Sequence, residues 1–361
     1  MQLEQTFWKD RRVLVTGHTG FKGTWLCLWL HALGARVCGY SDAVNTTPAH
    51  FLLAEVPELL EADLRGDVRD KSALQTAFNH CNPDVVFHMA AQPLVSIGYT
   101  DPTTTFETNF NGTLNLLEIA RRQTRPLSLI VVTSDKCYAP SEDGGAFRES
   151  DPMGGSDPYS ASKGVCELLC SAWRSSYFRS DAHSPVRLAS VRAGNVIGGG
   201  DWAANRLVPD AARVFAENRS LVLRSPDSVR PWQHVLEPLC GYLMLAERLS
   251  GADGQRYAEA WNFGPLPTDA VPVLQVAEWF AEAWGGGRIE VDPQQSIGKE
   301  TAVLRLAVDK AVSSLHWRPV WNVREAVRRA ALWYRDFYRQ PAADVRARSL
   351  AEIAEFTAAA L

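Results

Sequence analysis

The chain has 361 residues, of which 46% are hydrophobic and 22% charged, and a formal net charge of −4 at pH 7. That length is enough for a large core and a second lobe, and the composition is that of an ordinary globular protein. The near balance of charge gives no reason to expect nucleic acid as a partner, and no apolar run is long enough to cross a bilayer.

Strand-like and helix-like patterns alternate from the start, which argues for a parallel sheet with crossover helices. Arg11 and Arg12 lead directly into a first strand at 12–16, so no signal peptide is expected and the expected compartment is the cytoplasm. A helix is expected near 23–33, a second strand at 36–40 and a buried later strand at 84–88. Further strands are expected at 129–133 and 186–191, with helices around 71–79, 106–122 and 159–177. From about Gly198 the rhythm loosens into Gly, Asp, Trp and Pro, where the chain is expected to leave the sheet for a smaller lobe. A helix at 235–249 then returns to the first domain. The expected division is 1–190 with 235–264 for the first domain, and 191–234 with 265–361 for the lobe. The Ala-rich tail 354–361 reads as a helix end. Seven cysteines among apolar neighbours read as buried reduced thiols. Cys166 and Cys170 stand four apart with no second ligand pair, so no metal site is expected.

Thr16-Gly17-His18-Thr19-Gly20-Phe21-Lys22-Gly23 joins the first strand to its helix. Its Gly-x-x-Gly-x-x-Gly spacing lets backbone approach a pyrophosphate, and the helix amino terminus offers free N–H groups. A plain tight turn is the bland reading, but the strand–loop–helix context favours a dinucleotide site formed by Gly17, Thr19, Gly20, Phe21, Lys22 and Gly23. Asp42, just past the second strand, stands where a carboxylate holds a ribose 2′-hydroxyl or is simply a solvated turn residue. Asp67 and Val68 follow a third strand, where Asp67 could accept from an adenine amino group. Ala90 and Gln92 close the fourth strand beside small residues that leave room for the cofactor. Asp42 would repel a 2′-phosphate and so favours NAD over NADP, although the Lys22 cation could tolerate an extra phosphate.

The chemistry concentrates in Ser134-Asp135-Lys136, after the apolar run 129–132, and in Tyr159-Ser160-Ala161-Ser162-Lys163. A tyrosine four residues before a lysine shares its helix face, so the ammonium can stabilise phenolate and lower a pKa of about 10. Together with the Ser134 triplet, such a pair reads as a site that removes hydride and proton from an alcohol, the hydride passing to the dinucleotide, and then does something further. By itself Tyr-x-x-x-Lys also occurs on ordinary solvated helices, and Asp135 with Lys136 could be a surface ion pair. Loops at the carboxy ends of parallel strands form the site in doubly wound folds, which favours the chemical reading.

Together these residues resemble the extended short-chain dehydrogenase/reductase superfamily. Within it the chain looks like the nucleotide-sugar 4,6-dehydratases, closest to the branch that acts on CDP-D-glucose. The resemblance covers nearly the whole length. Its most specific carriers are Arg192-Ala193-Gly194-Asn195-Val196-Ile197-Gly198-Gly199-Gly200-Asp201-Trp202 and Arg230-Pro231-Trp232-Gln233-His234-Val235. It implies a Rossmann-type doubly wound parallel sheet with a smaller carboxy-terminal substrate-binding lobe, and NAD as cofactor. A homodimer or homotetramer built through the helices at 106–122 and 159–177 is also implied. The implied reaction turns CDP-D-glucose into CDP-4-dehydro-6-deoxy-D-glucose and water by C4 oxidation, C5 deprotonation with loss of the C6 hydroxyl, and hydride return to C6.

On that resemblance Tyr159 takes the C4 hydroxyl proton, Lys163 keeps the phenolate available and Ser134 orients the C4 oxygen. Lys136 is the candidate base at C5 and Asp135 the acid at the C6 hydroxyl. Thr-Asp-Glu stands at this triplet in the dTDP-glucose relatives, so the second base here rests on Lys136. Asn195 and Arg230 would contact the diphosphate, Arg206 is a further available cation, and Arg192 is better read as a structural pair. Trp202 and His234 line the nucleotide pocket or pack in the core with equal weight. Two rivals remain: an NDP-sugar 4-epimerase, which needs no acid–base pair for water loss, and a non-catalytic NAD-binding regulator.

Overall fold

The computed structural model describes residues 3–141, 144–179, 184–266, 269–292, 303–340 and 344–360. Seven parallel strands form its central sheet: β1 Arg12–Thr16, β2 Arg36–Ser41, β3 Ala62–Arg65, β4 Val85–His88, β5 Leu127–Val132, β6 Val186–Ala193 and β7 Ala260–Phe263. Their spatial order is 7-6-5-4-1-2-3, the doubly wound arrangement expected. The order reverses between β1 and β4, so the loops at the carboxy ends of those two strands flank the crevice where such sheets bind ligands.

Both faces of the sheet are covered, because alternate side chains of a strand point to opposite faces. Val13, Val15, Val85, Phe87, Ile130 and Val132 enter one core, which extends to Phe215, Phe280 and Val327 in the carboxy-terminal half of the chain. Leu14, Val86, Leu129 and Val131 enter the other, with Leu74, Phe78, Leu116 and Leu169 from the helices. All seven cysteines are buried and unbridged.

The helix after β1, Phe21–Ala32, buries every residue from Gly23 to Leu30. A helix apolar all round needs cover on both sides, and the carboxy-terminal helix Val345–Ala359 supplies the outer cover, packing Phe356 edge-on against Trp29 at 5.6 Å. The tail is thus helical to Ala359, and Leu361 lies outside the described residues. The helices Leu207–Ala216, Val273–Trp284 and Val323–Arg339 pack against one another. Among the described residues no helix is long and apolar enough to cross a membrane.

One expected helix is broken. In place of continuous α-helix over 106–122, Pro102–Phe106 leads into a π-helical turn, Glu107–Asn111, before Gly112–Ala120 resumes. The extra residue in that turn carries Asn109 inward. Its amide donates to the Gln92 carbonyl at 3.2 Å and to Ser162 Oγ at 2.8 Å, while its Oδ1 accepts from Gln92 N at 2.8 Å. Side-chain bonds to the neighbouring loop and helix compensate for the disturbed helical ladder, as at π-bulges near functional sites.

Candidate active site

The glycine loop has the geometry a pyrophosphate needs. Gly17 adopts φ +72°, and a Cβ there would lie 2.7 Å from the Ala90 backbone nitrogen; only glycine accepts both the left-handed backbone and the close approach. Gly20 begins the helix Phe21–Ala32 with no side-chain cap, so the first-turn N–H groups of Phe21, Lys22 and Gly23 stay available. Thr19 ties the loop to the end of β2, its Oγ1 donating to the Ala43 carbonyl at 3.0 Å and meeting Ser41 Oγ at 2.9 Å. Asp42 follows directly and is exposed, at the place expected for a ribose-binding carboxylate.

Three cofactor-side residues are more occupied than their spacing suggested. Asp67 holds Arg69 through both oxygens, accepting the Arg69 backbone N–H at 2.8 Å and Nε at 2.8 Å, and this pairing lowers its pKa. Val68 is buried beside Gly112. Gln92 uses both amide hydrogens within the chain, on the Leu94 carbonyl at 3.0 Å and Thr105 Oγ1 at 2.8 Å. It therefore braces the loop that starts at Ala90. Beneath this loop, Thr16 Oγ1 accepts from Met89 and Ala90 N–H groups and bonds His88 Nδ1 at 2.7 Å.

Ser134, Asp135 and Lys136 form a short turn at the end of β5. Ser134 Oγ caps it, accepting Lys136 N at 3.2 Å and donating to Asp135 Oδ1 at 3.0 Å. Asp135 is 4% exposed and its Oδ2 has no hydrogen-bond partner. Burial raises its pKa against the opposing pull of Lys136, Ser134, Arg230 and Lys22, so the carboxyl tends toward its acid form.

Asp157 and Pro158 start the helix Pro158–Ser176, Asp157 Oδ1 accepting Ser160 N at 3.0 Å. That cap, with proline at the first helical position, sets Tyr159 in the first turn, facing Ser134. The Tyr159 hydroxyl is pushed up to about 12 by burial, with Ser134 and Arg206 pulling it down. The Lys163 ammonium donates to the Val132 carbonyl at 3.4 Å, and burial lowers its own pKa.

Lys22 extends toward this centre. Its pKa is drawn down to about 8 by burial and by Lys163 and Arg206, with Asp135 opposing. Arg206, at the start of the helix Leu207–Ala216, pairs with Asp201 Oδ2 at 2.7 Å and stands beside Tyr159. Arg230 is 7% exposed, donates to the Val229 carbonyl at 3.0 Å and faces Asp135. Asn195, half-buried after β6, accepts Gln233 N on its carbonyl at 3.0 Å. Four cations, Lys22, Lys136, Arg206 and Arg230, thus converge around Tyr159 and Asp135, which suits polyanionic ligands.

Two residues named for the nucleotide pocket lie in the core instead. His234 has no exposed surface; it meets Glu352 of the carboxy-terminal helix at 3.1 Å and packs edge-on against Trp321 at 4.9 Å. Trp202 packs on Trp333, Tyr334 and Phe337, with centroids 5.7, 5.8 and 5.1 Å away. Burial of these large rings against the returning helices outweighs exposure in a cleft. Arg192 forms the structural pair expected of it, 2.8 Å from Glu167. Sequence reasoning missed Asn109, whose only signal is the poorly helical Asn-Phe-Asn-Gly run, and the site-facing direction of Lys22.

A glycine loop at the switch point, an exposed carboxylate after β2 and a Ser–Tyr–Lys set define a dinucleotide-dependent enzyme that works on a hydroxyl. Residues 13–262 match the NAD dependent epimerase/dehydratase family, and the chain belongs to that family. It is 44% identical over 339 residues to the CDP-glucose 4,6-dehydratase of Salmonella typhimurium, covering 93% of this chain and 94% of that protein. Among solved structures it is similar to the Thermus thermophilus UDP-glucose 4-epimerase in complex with NAD, at TM-score 0.76 and 27% identity over 90% of this chain and 99% of that one. The Bacillus anthracis dTDP-glucose 4,6-dehydratase in complex with NAD shares the fold, at TM-score 0.73 and 20% identity over 90% and 96% of the two chains.

Proposed function

We propose that this protein is an NAD-dependent CDP-D-glucose 4,6-dehydratase, a hydro-lyase forming CDP-4-dehydro-6-deoxy-D-glucose. The observation that carries the reading beyond its family is Asp135, a buried carboxyl with one unpartnered oxygen beside Lys136 and Tyr159. An epimerase needs Ser134, Tyr159 and Lys163 alone; water loss needs an added acid and base.

The glycine loop Gly17–Gly23 and Asp42 would hold NAD, which would supply a hydride acceptor and donor at the sugar. Tyr159 takes the C4 hydroxyl proton, and Ser134 holds that oxygen in place. The C4 ketone acidifies the C5 hydrogen, so Lys136 serves as base there while Asp135 protonates the leaving C6 hydroxyl. Arg206 and Arg230, with Asn195, hold the diphosphate; the resemblance alone assigns the cytidine base. The seven unbridged thiols suit the cytoplasm. Leu168, 59% exposed on the outer face of Pro158–Ser176, supports a homodimer or homotetramer formed through that helix.

The test is incubation with CDP-D-glucose and NAD⁺, followed by mass spectrometry of the nucleotide sugar. A product lighter by one water, without accumulated NADH, supports the dehydratase. An isomer of unchanged mass indicates the epimerase, and binding of NAD without conversion of CDP-, UDP- or dTDP-glucose indicates the regulator.

A further inference from the structure

We infer that a buried network centred on Arg192 positions the Ser134-Asp135-Lys136 turn against the Tyr159/Lys163 helix, with Tyr138 holding the far end of the turn; the inference rests on the dehydratase reading above. Arg192, near the end of β6, is 3% exposed. Its guanidinium donates to Glu167 Oε2 at 2.8 Å and to the Tyr138 hydroxyl at 2.6 Å, and lies 4.8 Å from the centre of the Tyr138 ring.

Each partner leads to one half of the reacting set. Glu167 is one helical turn beyond Lys163 and also accepts the hydroxyls of Thr133 and Ser190. Thr133 immediately precedes Ser134. Tyr138 comes two residues after Lys136, stacks on Phe147 with centroids 4.7 Å apart, and donates to Asn262 Oδ1 on β7 at 2.7 Å. The turn is therefore gripped before Ser134 through Glu167 and after Lys136 through Arg192. The same guanidinium–carboxylate pair anchors the helix of Tyr159 and Lys163.

This arrangement has a chemical consequence. C4 oxidation depends on the helix residues and Ser134, whereas water loss depends on where the turn places Asp135 and Lys136. A buried guanidinium–carboxylate pair has fixed geometry because its fork leaves little freedom. Among the described residues, the hydrogen bond to the Tyr138 hydroxyl is the side-chain bond that joins that fixed pair to the far end of the turn. Arg192, Glu167 and Tyr138 are buried behind the turn and are positioning residues, not groups that touch substrate.

Tyr138→Phe tests this, because it removes two hydrogen bonds and keeps the stacked ring. In single turnovers with CDP-D-glucose, C4 oxidation, read as bound NADH absorbance, should stay within about threefold of wild type. Water loss, read by mass spectrometry, should slow about tenfold or more, so that NADH accumulates while KM is unchanged. Backbone amide exchange across Thr133–Tyr138 should quicken about tenfold, with that of the Tyr159 helix unaltered. Glu167→Gln should loosen both segments and slow both steps; if it does not fold, Tyr138→Phe alone decides. Equal slowing of both steps in Tyr138→Phe, no slowing, or unaltered exchange in the turn would overturn the proposal. A wild-type protein inert toward CDP-D-glucose would refute the dehydratase reading instead, and the exchange measurement would then decide the positioning role.

Discussion

The Ser134 hydroxyl donates to Asp135 Oδ1 at 3.0 Å, while Oδ2 of the same carboxyl is buried without a hydrogen-bond partner. A buried carboxylate with an unmet oxygen is costly, and protonation relieves that cost. Burial accordingly raises the Asp135 pKa, in the neighbourhood of the Tyr159 hydroxyl.

Asp135→Asn should separate stability from activity. The folded-state pKa of Asp135 is raised, so its contribution to stability is fullest below the unfolded value of about 3.9 and declines as pH rises toward the folded pKa. At pH 7 the variant should be more stable than wild type by about 1 kcal/mol, and this gain should vanish near pH 3. Water loss should fall about 10²-fold or more, with C4 oxidation retained. Urea midpoints and product mass spectra check both; a destabilised variant at pH 7 would contradict the raised pKa.

Lys136→Met should also stop the reaction after C4 oxidation. Single turnovers in deuterated water should show no deuterium at C5 and a fall in product formation of about 10²-fold or more. Product at the wild-type rate would remove Lys136 from the chemistry.

Arg206 lowers the pKa of Tyr159, which burial otherwise pushes up to about 12. Arg206→Met should raise it further, and the base form of Tyr159 would then appear only at higher pH. The pH profile of C4 oxidation should move in the alkaline direction, with a loss of about tenfold or more at pH 7. An unshifted profile with raised KM would restrict Arg206 to binding the diphosphate.

His88 should stay neutral across the physiological range. Thr113 Oγ1 donates to the Asn109 carbonyl at 2.7 Å, so it must accept from His88 Nε2, 3.2 Å away. Nδ1 is then the acceptor of the Thr16 hydroxyl. Burial, with Lys163 adding to it, depresses the His88 pKa to about 3. Stability from this neutral ring is fully present above the unfolded value of about 6.5 and is lost as pH falls toward 3, by at most about 1.4 kcal/mol per unit. Nitrogen NMR of the ring between pH 8 and 5 should show a fixed Nε2–H tautomer; a titration near 6.5 would refute the assignment.

His234→Ala should report the core and not the pocket. Removing a fully buried ring that packs on Trp321 and faces Glu352 should cost about 3 kcal/mol. KM for the nucleotide sugar should change by less than about twofold. A raised KM at unchanged stability would restore His234 to the pocket.

The sheet and its cofactor loop were legible because their signals are local. Short continuous apolar runs, a glycine loop between strand and helix, and a lysine one turn after a tyrosine all arise within a few residues. The π-turn at Asn109 was not legible, since its inward amide depends on Gln92 and Ser162, each brought close only by the fold.

By itself the sequence determined the doubly wound sheet and the glycine loop, and it pointed to Ser134, Asp135, Lys136, Tyr159 and Lys163 as candidates, because each rests on spacing along a single strand, loop or helix. Tertiary structure alone decided which polar and aromatic side chains face the cleft. His234 and Trp202 turned into the core because Glu352, Trp333 and Phe337 arrive there from the far end of the chain. Lys22 turned toward Asp135 and Arg206 for the same kind of reason. The raised pKa values of Asp135 and Tyr159 follow from burial, a property of the packed molecule and not of any stretch of its sequence.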